Sequence, residues 1–253
     1  MKKVQVRDVV FGEGKPKICI PIMGKTLSGL EEEIKGLDGL NYDVIEWRMD
    51  HFDEIMDEEK AIEAVNLVRE LLNDTVLLST FRTSKEGGEK AISNEDYVKL
   101  NCAIIKSGKT DLIDVECFTG KDEVKSIVDC AHENNVFVVM SNHDFDKTPA
   151  YDEIINRLKT MQEQNADIPK IALMPNSVDD VLTVLKATND MVNNFADRPI
   201  ITMSMGKYGI ISRLAGEVFG SCLTFGAAKA ASAPGQINVN DLDTVLTILN
   251  KSL

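Results

Sequence analysis

Short runs of apolar, mostly β-branched residues recur along the whole chain, and each is followed by a segment in which apolar residues have helical spacing. The runs begin roughly 25 to 35 residues apart, about the length of one βα unit. This rhythm predicts a parallel sheet of eight strands, at about 17–23, 44–50, 75–82, 112–117, 136–143, 169–175, 199–205 and 222–227.

The segments between the strands have the i, i+3/i+4 apolar spacing of helices that bury one face. Leu30, Ile34 and Leu37 keep this spacing, and the same periodicity predicts helices at 94–107, 150–164, 178–193, 211–219 and 240–250. Asn94, Ser177 and Asn240 are the expected N-caps.

The fold class predicted by this alternation is α/β. Eight strand–helix units in 253 residues fit a (β/α)₈ TIM barrel better than an open doubly wound sheet. Length alone would also allow two small domains, but no linker or low-complexity tract divides the chain. We therefore expect one barrel domain over 1–253. The segments Val4–Val6 and Val9–Phe11 predict a short N-terminal β-hairpin that closes the bottom of the barrel.

The overall charge excludes one class of partner. A formal net charge of −13 and a pI near 4.7 argue against nucleic acid, whose phosphates are neutralised by Lys and Arg. The N-terminal residues have no apolar signal-peptide core, and no apolar run approaches the ~18 residues of a membrane span. We expect a soluble cytoplasmic protein.

The cysteines and histidines do not suggest disulfides or a metal site. The five cysteines form no CxxC pair, so free, mostly buried thiols are expected. His51, His132 and His143 share no metal-ligand spacing. No metal is therefore expected.

Polar residues end several of the predicted strands, where the active sites of barrels lie. Glu46 and Arg48 end one strand, Arg82 ends the next with Glu86 beyond it, and His143 ends a third. With Arg213, three of the seven arginines would converge on one mouth of an acidic protein, which indicates an anionic ligand. Ion pairs inside the barrel are the alternative interpretation.

Lys170 and His143 are the candidates for covalent chemistry. Lys170 opens a buried strand-like run, and a neutral lysine amine can attack a carbonyl to form a Schiff base. His143 could move protons if it titrates near neutrality, with Glu46 or Glu86 orienting its ring. A solvent-exposed lysine at the bottom of the barrel is the alternative, because Lys170 lies in the first half of its strand.

The last strand is followed by a segment rich in small residues, 229–237, that contains Pro-Gly. It predicts a mobile flap over the mouth, with Ser232 and Gln236 as hydrogen-bonding residues; a plain connection is the alternative. Met203 and Met205 alternate inward on the seventh strand and, with Phe225, would form either an apolar wall of the site or ordinary core.

These residues carry a resemblance to the type I 3-dehydroquinate dehydratases of the shikimate pathway, over nearly the whole chain. The matching pieces are Glu46-Trp47-Arg48, Thr80-Phe81-Arg82 with Glu86, Asp114-Val115-Glu116, Val138 to Asp144, Pro169-Lys170-Ile171-Ala172, Met203 to Gly206, Ser212-Arg213 and Ser232 to Gln236. Their order and spacing together make the resemblance specific.

The resemblance implies a barrel enzyme, often a homodimer, that converts 3-dehydroquinate to 3-dehydroshikimate without a metal or cofactor. It implies that Lys170 forms the imine, that His143 is general acid and base, and that Glu86 orients or tunes His143. It further implies that Arg213, Gln236 and Ser232 hold the substrate carboxylate, while Glu46, Arg48 and Arg82 hold the hydroxyl side.

Two other functions remain open from the residues alone. A class I aldolase would also use a lysine on the sixth strand of a barrel, but the strand-end arginines suit a carboxylate better than a sugar phosphate. A non-catalytic barrel that binds a small carboxylate would need Arg213 and the flap, but neither Lys170 nor His143.

Overall fold

A computed structural model describes residues 2–228 and 233–253, and in them a parallel sheet curls into a barrel with helices outside. The strands are β1 (Val4–Val6), β2 (Val9–Phe11), β3 (Lys17–Ile22), β4 (Val44–Arg48), β5 (Val76–Thr80), β6 (Leu112–Glu116), β7 (Phe137–Asp144), β8 (Ile168–Leu173), β9 (Ile201–Ser204), β10 (Leu223–Ala227) and β11 (Ile237–Asn238). The helices are α1 (Leu27–Lys35), α2 (Glu58–Leu72), α3 (Asn94–Lys106), α4 (Lys121–Glu133), α5 (Tyr151–Glu163), α6 (Val178–Asn194), α7 (Ile210–Leu214), α8 (Gly216–Phe219) and α9 (Val239–Asn250).

The main sheet confirms the predicted topology. Its strands are hydrogen-bonded in the order β11-β10-β3-β4-β5-β6-β7-β8-β9, with every pairing parallel. The barrel closes between β9 and β10 through a short contact. Ile200 and Ser221 form a single parallel bridge, and the Ser221 hydroxyl accepts from the backbone N–H of Thr202 at 3.0 Å. All eight predicted barrel strands are present.

The apolar residues form two layers, as alternation along buried strands requires. Outward-facing strand residues pack against the helices in the larger layer. In the smaller layer, Val4, Val6 and Phe11 of the N-terminal hairpin lie with strand-start residues such as Val44 and Leu112. The hairpin therefore closes the bottom of the barrel, and the polar upper interior is left for the site.

Helix boundaries differ from the prediction in detail. Ser177 caps α6 as expected, but α3 is capped by Ser93, whose hydroxyl accepts from the N–H of Asp96, and α9 by Asn238. The predicted helix 211–219 is two helices, α7 and α8, because the backbone of Ala215 is not helical.

The described residues contain neither a helix suited to a membrane nor a disulfide. Within 2–228 and 233–253 no helix combines the length and apolar character that crossing a bilayer requires. The five cysteines are free thiols, and all but Cys102 are buried.

Candidate active site

A cleft of about 490 Å³ opens at the carboxyl ends of the barrel strands. Most of the predicted site residues line it: Glu46, Arg48, Arg82, Glu86, His143, Lys170, Met203, Met205, Arg213, Phe225 and Gln236. Ser232, the remaining predicted contact, lies outside the described residues. The structure thus brings together side chains from six different strands or the segments that follow them.

Lys170 is the third residue of β8, and its amine points up into this cleft. Only 3% of the residue is exposed, so it is not a solvent-exposed lysine at the barrel bottom. Its Nζ lies 3.4 Å from Asp114 Oδ2, 3.6 Å from Glu46 Oε1 and 4.7 Å from the centroid of the Phe225 ring. The charged groups nearest the amine are therefore carboxylates.

His143 and Glu86 form a buried pair across the cleft wall. Oε2 of Glu86 accepts from the backbone N–H of His143 at 2.8 Å and lies 3.1 Å from Nδ1 of its ring. A carboxylate accepts hydrogen bonds, so this contact places the ring proton on Nδ1 and leaves Nε2 as the basic nitrogen. Glu86 lies in a short 3₁₀ turn, Ser84–Glu86, directly after β5.

The pKa values of His143 and Glu86 differ from those expected for an ordinary histidine and an ordinary carboxyl group. Burial lowers the pKa of His143 well below its usual value, and the cations Arg82, Lys170 and Arg48 add to the effect. Burial also raises the pKa of Glu86 to about 7, against the opposing influence of Arg82. The two groups therefore titrate as a pair rather than as an isolated histidine.

Arg82 and Arg48 are already paired with carboxylates. Arg82 donates to Asp114 at 2.7 Å and to Glu116 at 2.9 Å, and Arg48 makes a two-pronged contact with Asp50 at 2.9 and 2.8 Å. Such forked contacts fix the guanidinium planes. These two arginines line the cleft with fixed guanidinium groups whose positive charges are balanced by neighbouring carboxylates.

Arg213 differs from them in having no acidic partner among the described residues. Nη2 donates to the carbonyl of Pro234 at 3.1 Å, Nη1 lies 3.5 Å from the sulfur of Met203, and Nε is buried with no hydrogen-bond partner. Burial lowers the pKa of Arg213 to about 10, so it remains a cation at neutral pH. Burying a cation without a carboxylate partner is costly, and an anion that binds beside it offsets that cost.

The described end of the predicted flap packs over the cleft. Ala233 and Gln236 line it, and the Pro234 carbonyl also accepts from the N–H of Gly206 at 3.2 Å. Gly235 has φ +79°, and a Cβ there would lie 2.5 Å from the Gly206 carbonyl oxygen. Only glycine allows this approach, which holds the segment 233–236 close to Arg213.

Two buried groups, Asp114 and Ser141, belong to the sequence pieces that carry the family resemblance but received no role from the sequence. Asp114 is fully buried and links Arg82 to Lys170, and Ser141 donates to its Oδ1 at 2.7 Å. Although burial opposes it, Arg82 and Lys170 hold the pKa of Asp114 below its usual value. The alternation of Asp114 and Glu116 on β6 was the available signal, since both positions face inward.

A metal site does not emerge from the described part of the chain. Residues 2–228 and 233–253 contain no group of three or more His, Cys, Asp or Glu side chains placed to hold a metal ion. The carboxylates of the cleft are instead committed to arginine, lysine and histidine.

Comparison with protein families and curated proteins gives one consistent result. A family model described as type I 3-dehydroquinase matches residues 18–252. The 3-dehydroquinate dehydratases of Salmonella agona and Salmonella typhimurium are each 57% identical over 252 residues, covering 100% of this chain and of the relative.

Solved structures agree with this match. A type I 3-dehydroquinate dehydratase from Clostridium difficile, with covalently modified comenic acid, has a TM-score of 0.97 at 51% identity and covers 100% of this chain and 99% of its own. The enzyme from Geobacillus kaustophilus has a TM-score of 0.95 at 36% identity, covering 99% and 97%. A 3-hexulose-6-phosphate synthase, at 16% identity and a TM-score of 0.60, shares the fold alone.

Proposed function

This chain belongs to the type I 3-dehydroquinase family, and we propose that it dehydrates 3-dehydroquinate to 3-dehydroshikimate through a Schiff base on Lys170. One observation carries the proposal. The buried amine of Lys170, the His143–Glu86 pair and the cation of Arg213, which has no carboxylate partner among the described residues, face a single cleft. A substrate with a ketone, a β-hydroxyl and a carboxylate has one complementary group for each of them.

The covalent step makes the later proton removal possible. The neutral amine of Lys170 adds to the ketone carbon, and loss of one water together with uptake of one proton leaves a protonated imine. This cationic nitrogen accepts the electron pair released when the α-proton leaves, so it acidifies that proton strongly. The electron sink is the imine itself, and we propose that no metal or cofactor is required.

His143 is proposed to move the protons. Its Nε2 takes the α-proton, giving an enamine, and the enamine then expels the β-hydroxyl as water with the proton that His143 returns. Hydrolysis of the resulting imine releases the product ketone and regenerates the amine of Lys170. Glu86 holds the ring by its Nδ1–H throughout, the usual role of a carboxylate beside a catalytic histidine.

Substrate orientation is assigned to the cations and to the flap. Arg213 would receive the carboxylate in a forked contact, with Gln236 and the undescribed Ser232 as further hydrogen-bonding residues. Glu46 and the paired Arg48 and Arg82 would hold the hydroxyl side. Holding the reacting atoms in place can by itself contribute many kcal/mol to the rate.

The apolar wall of the cleft supports the same assignment. Met203, Met205 and Phe225 are each at most 5% exposed and line the cleft beside the polar groups. We propose that they contact the carbon ring of the substrate and exclude water from the imine.

We also propose that the protein is a homodimer. Exposed apolar side chains lie on α6 and on the contacting helices α7 and α8, where a second copy could cover them; they are Val178, Leu182, Ile210, Ile211 and Val218. Light scattering should give twice the chain mass for the wild type, and Leu182→Glu should lower it. Ile248→Glu, at an equally exposed apolar residue of α9, should not.

We propose a cytoplasmic location because the cysteines are free thiols. Five free cysteines, four of them buried, suit a reducing compartment. Cell fractionation with a cytoplasmic marker tests this, and recovery with exported proteins would contradict it.

The activity is tested by following the conjugated enone that dehydration forms. Purified protein with 3-dehydroquinate should produce it catalytically, and Lys170→Met should not. A class I aldolase acting on this cyclic molecule would instead open its ring without loss of water, and a carboxylate-binding barrel would leave it unchanged. Mass and NMR spectra of the products separate these three outcomes.

A further inference from the structure

Asn142 precedes His143 on β7, and its side chain lies between two charged groups. Its amide nitrogen donates to Oε1 of Glu86 at 3.0 Å, and its amide oxygen accepts from Nη1 of Arg157 at 2.8 Å. A guanidinium can only donate and an ionised carboxylate can only accept, so one amide orientation satisfies both partners. Arg157 thereby determines that the N–H end of the Asn142 amide faces Glu86.

We propose that Asn142, oriented by Arg157, is a positioning residue that keeps Glu86 ionised and hydrogen-bond-accepting beside His143. The proposal rests on the proposed function of the cleft. A proton on Oε1 of Glu86 would point at an N–H group and lose this hydrogen bond. The contact therefore works against burial, which favours the protonated carboxyl.

The surroundings of Glu86 leave Asn142 as the specific partner of Oε1. Arg82 approaches Oε2 of the same carboxylate at 3.6 Å, farther than its contacts of 2.7 to 2.9 Å with Asp114 and Glu116. The titratable or charged groups near the carboxyl and its Asn142 partner are Arg82, Lys85, Tyr97, Glu116, Cys117, His143 and Arg157, and Arg157 in turn faces Asp144 and Glu153.

The contact between Asn142 and Glu86 borders a cavity, so Asn142 can be replaced to test it. A second cavity of about 740 Å³ is lined by Glu86, Asn142 and His143, together with residues such as Phe118 and Thr119 that follow β6. Shortening Asn142 would extend this opening rather than create a closed hole in the core. Arg157 lies on α5 and also pairs with Glu153 at 2.9 Å on the exposed side of the helix.

Three variants separate the proposed role from a structural one. Asn142→Ala removes the donor, Arg157→Met frees the amide to rotate, and Glu153→Gln breaks only the outer ion pair of Arg157. The acid limb of the kcat/KM profile should move up by about one pH unit in Asn142→Ala. Arg157→Met should move it less in the same direction, and Glu153→Gln should not move it.

Titration of the His143 imidazole by NMR in the ligand-free protein gives a readout independent of turnover. The apparent pKa of the Glu86–His143 pair should shift upward in the same order, with activity recovering toward wild type at high pH. Equal losses of rate at every pH with an unmoved imidazole titration would overturn the proposal. Absence of dehydratase activity in the wild type would instead contradict the proposed function, while the titration would still test the Asn142–Arg157 contact.

Discussion

The carboxylate of Glu86 accepts both the backbone N–H and the ring Nδ1–H of His143, at 2.8 and 3.1 Å. One oxygen thus fixes the main chain and the imidazole of the same residue. The ring is held in one tautomer, with its basic nitrogen free for the cleft. Because the two groups are in contact and largely withdrawn from solvent, they titrate as a pair, and their environment shifts their pKa values in opposite directions.

The pH dependence of the reaction should report this pair. Burial raises the pKa of Glu86 to about 7. As pH falls below that value, protonation removes the ionised carboxylate that accepts the hydrogen bond from His143, and kcat/KM decreases. Glu86→Gln removes this proton site and leaves His143, whose pKa is lowered. The acid limb should therefore move to lower pH, with the plateau reduced roughly tenfold for the loss of one charged hydrogen bond. An unchanged limb would show that another group titrates.

Replacement of His143 should separate covalent binding from proton transfer. His143→Ala should lower kcat by about 10² to 10⁴, the usual contribution of general acid–base catalysis. The amine of Lys170 is untouched, so imine formation should continue and the adduct should accumulate during turnover. Single-turnover kinetics with quenching measures both steps. Near-normal turnover would refute the role assigned to His143. His132→Ala, at a surface histidine paired with Asp167, is the control.

Arg213 should show opposite effects on binding and on stability. Arg213→Met removes a buried cation with no acidic partner among the described residues, so the melting temperature should stay the same or rise. The KM for 3-dehydroquinate should rise at least tenfold, because the carboxylate loses its forked contact. Arg213→Lys should also bind poorly, since lysine lacks the fork. Normal binding by Arg213→Lys would indicate that the substrate carboxylate binds at Arg48 and Arg82 instead.

The close packing of Gly235 on Gly206 can be tested with a matched pair of glycines. Gly235→Ala has both a positive φ of +79° and a clash with the Gly206 carbonyl, and it should displace residues 233–236 and raise KM about tenfold. Gly39→Ala has a similar φ of +77°, but open space around it, and should lower stability without changing KM. Equal KM values in the two variants would show that the position of residues 233–236 does not affect substrate binding.

The barrel followed from the sequence because strand and helix periodicities repeat regularly, and alternation alone places Glu46 and Arg48 inside it. Spacing could not reveal which charges pair. Arg48, Arg82 and Arg213 look alike in sequence, yet only Arg213 lacks a carboxylate among the described residues.

Two further features depended on three-dimensional packing. The position of Lys170 early in its strand left its direction open, and only the closed barrel carries its amine up to Asp114. The lowered pKa of His143 likewise depends on burial and on cations from three other strands or their ends, contacts that no local pattern encodes.

The central claim is that Lys170 forms an imine with the substrate. Borohydride added with 3-dehydroquinate should reduce this imine, and intact mass should increase by one reduced ligand. Peptide mapping should place the added mass on Lys170, and Lys170→Met should gain nothing. An active wild-type enzyme that stays unmodified, or carries the added mass on another lysine, would contradict the account.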